Sequence, residues 1–151
     1  MVRPEQASLV ARKLGEVSIG AYAHQSYLER VGTPREPADL LKHTLIGYAS
    51  DPQIERGLVA MGVPLTREDF AIRTDDHVAY SMLVAHGAGI GFLAGYNTRP
   101  WPQVRRVLPQ LAPPALPCWL AVHREIHTNN VVRKVYDFLA QALPAAFQAL
   151  E

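Results

Sequence analysis

Apolar and polar positions along the chain fall into short runs separated by capping residues, glycines and prolines. Leu9-Val10-Ala11 and Val17-Ser18-Ile19-Gly20-Ala21-Tyr22 flank Gly15 and read as two extended segments. Ser26 can cap a short helix, Tyr27–Val31, that stops at Gly32. Pro37 suits the first position of another, Ala38–Lys42, because proline lacks only an N–H that would be unpaired there. Thr44–Tyr48 reads as a strand, and Asp51-Pro52 opens a helix through Ile54, Leu58 and Met61 to Gly62. Phe70–Arg73 has the look of a strand, and Asp75 or Asp76 offers the next helix cap. Val78, Met82 and Ala85, widened by Ala79 and Leu83, repeat at helical spacing up to Gly87. Gly89–Leu93 reads as a buried strand, so this stretch is a βαβ unit with parallel strands and a right-handed crossover.

After the corner Arg99-Pro100-Trp101-Pro102, Val104–Leu108 is a short strand, Pro109–Pro117 an irregular crossing and Trp119–Val122 a last strand. Thr128 or Asn129 caps a final helix. Val131, Val135, Phe138 and Ala142 share one face of it, with Val132, Leu139 and Leu143 beside them, while Arg133, Lys134, Asp137 and Gln141 take the wet side. Residues 1–7 are polar and expected to fray.

In open parallel sheets, ligands bind outside the carboxyl ends of the strands. That edge holds Thr74, Asp75, Asp76 and His77 after one strand, with Tyr48, His24 and Tyr96 expected on neighbouring strand ends. The helix N-terminus at Asp75–His77 adds N–H donors and partial positive charge. Thr74 and those donors would suit a carboxylate or another polar oxygen. Two acids would repel an anion unless one is turned away as the cap, and protonated His77 would offset them, raising affinity as pH falls. A plainer reading stands beside this one, in which Asp75 only caps the helix and His77 is a surface residue.

A chain of 151 residues that is 48% hydrophobic and 19% charged is globular. Its net charge of +1 and lack of a basic stripe argue against direct, specific DNA binding. The lone Cys118 excludes an intrachain disulfide and suits a reducing cytosol, and the N-terminus lacks the apolar region of a signal peptide. No apolar run approaches the length of a membrane span. The glycines of Gly87-Ala88-Gly89-Ile90-Gly91 close a helix and open a strand, the reverse of a phosphate-binding loop. His123 and His127 are four apart at a strand end, without the glutamate placement of a zinc protease, and no Cys/His ligand set is present. With no G-x-S-x-G elbow and no cofactor motif, nothing argues for an enzyme.

Four pieces occur in the order and spacing of one family. They are Leu9–Gly15; Tyr27-Leu28 with Gly32–His43; Arg73–His77 with Gly87–Gly91; and Val107-Leu108-Pro109 with Trp119–Arg124 and Val135–Leu139. Together, over about residues 8–145, they resemble the C-terminal effector-binding domain of LysR-type transcriptional regulators. The resemblance implies a two-lobed, type 2 periplasmic-binding-protein-like α/β fold with a mixed, mainly parallel sheet and a small-molecule cleft. It also implies cytoplasmic placement and a DNA-binding helix-turn-helix that this chain does not contain. On that pattern, residues 1–15 are a crossing segment, 16–116 the second lobe, and 117–151 the return strand and last helix of an incomplete first lobe. The apolar face of that helix is then left to a partner, so a homo-oligomer is expected. A stand-alone solute-binding protein of the same fold is the alternative.

Overall fold

The computed structural model describes residues 8–111, 113 and 115–148; the expected fraying of residues 1–7 and positions 112 and 114 of the proline-rich crossing lie outside them. In chain order the elements are β1 (Leu9–Val17), β2 (Ile19–His24), α1 (Gln25–Val31), a 3-10 turn (Pro37–Lys42), β3 (Ile46–Gly47), α2 (Gln53–Ala60), β4 (Ile72–Arg73), α3 (His77–Ala85), β5 (Gly91–Ala94), β6 (Val104–Val107), β7 (Leu116–His123), α4 (Arg124–His127) and α5 (Asn130–Gln148). Contacts divide the chain into two units: Ile19–Pro114, and the described residues up to Ser18 together with those from Ala115 on. Among the described residues no helix is long and apolar enough to cross a membrane.

In the Ile19–Pro114 unit the sheet is mixed. β3 and β4 are parallel, Ile46 opposite Ile72 and Gly47 opposite Arg73. A parallel bridge, Leu45 opposite Ile90, joins β3 to the start of β5. β2 then runs antiparallel to β5 on one side and to β6 on the other. The expected β4–α3–β5 crossover is present, but β3 lies between its two strands, and antiparallel pairing carries more of the sheet than expected. Consecutive residues point to opposite faces. Ala21, Leu45 and Phe92 join one buried cluster with Tyr27, Leu40 and Leu58, and Tyr22, Ile46 and Leu93 join another with Tyr80 and Val84. Both faces are therefore covered, which is why these strands read as continuous apolar runs.

Local chemistry accounts for most helix ends, with some departures from expectation. His24, not Ser26, caps α1, its ring nitrogen accepting from the Ser26 N–H. Gly87 closes the turn after α3 at φ +74°, a conformation that disfavours a side chain. The face of α3 is shifted: Tyr80, Val84 and Ala85 are buried, while Val78 is 73% and Met82 43% exposed. That helix is apolar around most of its girth, so periodicity does not single out the packed side.

In the other unit, β1 pairs antiparallel with β7, from Leu9 opposite His123 to Val17 opposite Leu116, with an irregularity between Lys13 and Gly15. Asn129 Oδ1 accepts from the N–H groups of Val131 and Val132, so the expected cap of α5 is present. Tyr136 and Ala140 are buried, and Val132, Leu139 and Leu143 are half-buried beside them. The face expected to dock stays out: Val131 is 70%, Val135 53% and Phe138 67% exposed. His127 packs edge-on against Tyr136, and the His123–His127 stretch is a strand end followed by one helical turn.

Candidate functional site

The carboxyl ends of β3 and β4 lie side by side, tied by the Thr74 N–H donating to the Gly47 carbonyl at 3.1 Å. β3 runs out into Tyr48 and the loop before α2, and β4 into Thr74 and the cap of α3. Five of the seven expected site residues, Tyr48 and Thr74–His77, come together here. Asp75 and Asp76 divide two tasks. Asp75 Oδ1 accepts from the Ala49 and Ser50 N–H groups at 2.9 and 3.0 Å. The Arg67 guanidinium donates to the Ala49 carbonyl, so the loop is held from both sides. Asp76 Oδ1 accepts from Val78 and Ala79 N–H at 2.8 and 3.0 Å and caps α3, while the Thr74 hydroxyl oxygen accepts from the Asp76 N–H at 3.2 Å. The bond from the Ser50 N–H is the largest effect holding the Asp75 carboxyl below its usual range, and the Ala79 and Val78 N–H groups do the same for Asp76.

Two consequences follow for a ligand. Each acid has an oxygen engaged by protein donors, which lessens the repulsion expected toward an anion. The cap also occupies the N–H groups of Val78 and Ala79, so the helix N-terminus offers less than the sequence suggests. Side chains remain. The Tyr48 hydroxyl lies 3.3 Å from His77 Nδ1, and the rings meet edge to face at 5.3 Å. Half-burial, and secondarily the Asp51 charge, push the Tyr48 hydroxyl above its ordinary value, so it keeps its proton. With Tyr48 donating to Nδ1, a neutral His77 carries its proton on Nε2. The Thr74 hydroxyl hydrogen is a further donor.

Tyr48 is itself positioned. It stacks on Tyr80 at 5.0 Å between centroids, with the planes 26° apart. The buried Tyr80 hydroxyl donates to the Ile46 carbonyl at 2.8 Å and accepts from the Phe92 N–H at 2.9 Å. Ile90 N–H reaches the Thr44 carbonyl and Ile46 N–H reaches the Ile90 carbonyl, so Phe92 N–H to Ile46 would be the next parallel rung. The hydroxyl stands in that rung where β3 and β5 diverge. Gly91 leaves it room, since a Cβ there would lie 2.5 Å from Val84 and 3.0 Å from the Tyr80 ring. Sequence reading missed Tyr80; a tyrosine within an apolar helical run, needing a partner for its hydroxyl, was the available signal.

Tyr96 follows β5 on the same edge and is 39% exposed. His24 does not belong with the others. β2 is antiparallel to β5, so its carboxyl end lies beside the start of β5, at the opposite edge. There His24 bonds the Ser26 hydroxyl at 2.7 Å and Gln103 at 2.8 Å. Among the described residues no group of three His, Cys, Asp or Glu could hold a metal ion.

The family of the LysR substrate binding domain matches residues 1–144. The chain belongs to that family. It is an effector-binding domain of the kind found in LysR-type transcriptional regulators. The HTH-type transcriptional activator AaeR of Escherichia coli (strain K12) is 32% identical over 91 residues, 59% of this chain and 29% of that protein. Quorum-sensing regulator A of Escherichia coli O157:H7 matches to the same extent. The aligned stretch thus spans less than a third of these relatives. Among solved structures, the regulatory domain of CrgA from Neisseria meningitidis has a TM-score of 0.80 at 21% identity, covering 93% of this chain and 73% of that one. The effector domain of AmpR from Pseudomonas aeruginosa has a TM-score of 0.71 at 18% identity, covering 93% and 67%. These likenesses show the type 2 periplasmic-binding-protein-like fold.

Proposed function

We propose that this LysR-type domain senses a small molecule carrying a carboxylate or similar polar oxygen, held at the carboxyl ends of β3 and β4. The Thr74 hydroxyl and His77 imidazole are its donors, and Tyr48 and Tyr96 border it. The observation that carries this is the engagement of one oxygen of each of Asp75 and Asp76 by backbone N–H groups, with the Thr74 hydroxyl and the His77 imidazole beside them as side-chain donors. The chain acts by binding and not by catalysis, works in the cytoplasm as part of a regulator, and leaves DNA contact to another segment of that regulator. Its oligomer forms through the exposed stripe of α5. An amide chemical-shift titration with benzoate and short-chain carboxylates tests the site. Shifts should centre on 74–77 and weaken in Thr74→Val and His77→Ala. Shifts centred on His24 and Gln103, or unchanged affinity in both variants, would overturn the assignment.

A further inference from the structure

A shallow recess open to solvent lies beside this edge, between the start of α2 and the β3–β4 pair. Its lining includes two cations, Arg67 and Arg73, two acids, Asp51 and Glu55, and the Phe70 ring. Gly47 lets that ring pack close against β3, since a Cβ there would sit 2.6 Å from it. The four charges do not neutralise one another. The ion pairs among the described residues are Lys13–Glu16, Lys42–Asp39 and His123–Glu125, and none involves these four. Their bonds are to backbone: Arg67 to the Ala49 carbonyl, Arg73 to the Arg67 carbonyl at 3.3 Å, and Asp51 accepting from the Gln53 N–H at 3.0 Å. Each guanidinium has five N–H donors, so most stay open.

We propose that this recess is a second binding site, for a small zwitterion of the α-amino-acid kind. The arginine forks receive its carboxylate, for which their planar geometry is suited. Asp51 and Glu55 receive its ammonium group, and Phe70 supplies an apolar wall for a short side chain. A ligand with one charge would satisfy one pair and meet the like charge of the other. The site does not depend on the reading of Thr74–His77, and the two are read at different amides.

The test uses three probes of equal carbon count: L-alanine, propionate and n-propylamine, each titrated into the full chain while amide shifts are followed. L-Alanine should move the amides of Gly47, Glu55 and Arg73 with a half-saturation several-fold below either singly charged probe. Arg73→Gln should weaken L-alanine and propionate and should not weaken n-propylamine, which is relieved of a like charge. Glu55→Gln should weaken L-alanine and n-propylamine and should not weaken propionate, which is relieved of a like charge. Because the two variants fail in opposite directions, a general loss of structure cannot imitate the result. Equal half-saturation for all three probes, indifference of L-alanine to both variants, or shifts confined to 74–77 would overturn the proposal.

Discussion

Replacing Tyr80 with phenylalanine removes one oxygen and keeps the ring, so it tests the bridging rung between β3 and β5 without opening a cavity. Tyr80 is 1% exposed, and its hydroxyl serves two buried backbone groups, the Ile46 carbonyl at 2.8 Å and the Phe92 N–H at 2.9 Å. Burial pushes that hydroxyl far above its ordinary range, so it remains a donor at any working pH. Leaving a buried polar group unpaired costs about 1–3 kcal/mol. Two such groups, less the cost of burying the hydroxyl itself, give a loss of roughly 2–4 kcal/mol. For a chain of this length each kcal/mol moves the melting temperature by about 2–4 °C, so Tyr80→Phe should melt roughly 4–16 °C lower. Urea unfolding of both proteins, with equal slopes, measures the free energy directly. A loss below about 0.5 kcal/mol would refute the reasoning, because it would mean that the strands close and form the missing rung themselves.

Four further outcomes are expected. Asp76→Ala should speed hydrogen exchange at the Val78 and Ala79 amides more than at Val84, because only the first turn of α3 depends on that cap. The Asp75 carboxyl is depressed below 3.8 chiefly by the Ser50 N–H, so its hold on the 48–51 loop should be complete above that pH and lost as pH falls below it. Exchange at Ala49 and Ser50 reads this, and Asp75→Asn should remove the pH dependence. Burial lowers the His43 imidazole below 6.5, with Lys42 adding and Asp39 opposing, while its Nδ1 lies 3.2 Å from the Tyr27 hydroxyl that accepts from the Thr44 N–H. Stability should therefore be fully present above 6.5 and decline as pH falls, and His43→Gln should flatten that decline in thermal melts. Phe138→Ser should shift sedimentation toward the monomer without lowering the melting temperature of the monomeric species, since that ring is 67% exposed.

The sequence carried the local features of this fold well, because they are set by neighbours a few residues apart. The Asn129 cap, the Gly87 stop and the strand–cap–helix–strand run through residues 72–94 are of this kind. Which face of a helix is buried is not a local property. Periodicity finds an apolar arc, but on α3 the arc is so wide that Val78 and Met82 fit it as well as Tyr80 and Val84. On α5 one wide arc holds two stripes. The β1–β7 ribbon covers the one through Tyr136 and Ala140, and the one through Val131, Val135 and Phe138 stays exposed.

The misplaced His24 follows from the same limit at the level of the sheet. A strand end lies on the ligand edge only if the strand runs with its neighbours, and direction depends on pairing across 75 residues of chain, Ile19 opposite Ala94. The adjacent acids show the opposite case. Asp75 and Asp76 are indistinguishable by type, and both are candidates for a cap or for the site. What separates them is one residue of position at a strand-to-helix junction. Asp76 stands where its carboxylate meets the N–H groups of its own helix, and Asp75 points across to the loop that follows the neighbouring parallel strand. A loop pinned by Asp75 carries Tyr48 at its start, and a helix capped by Asp76 carries His77 as its first residue. The two carboxylates thus hold the backbone segments that carry the two rings whose contact defines the edge.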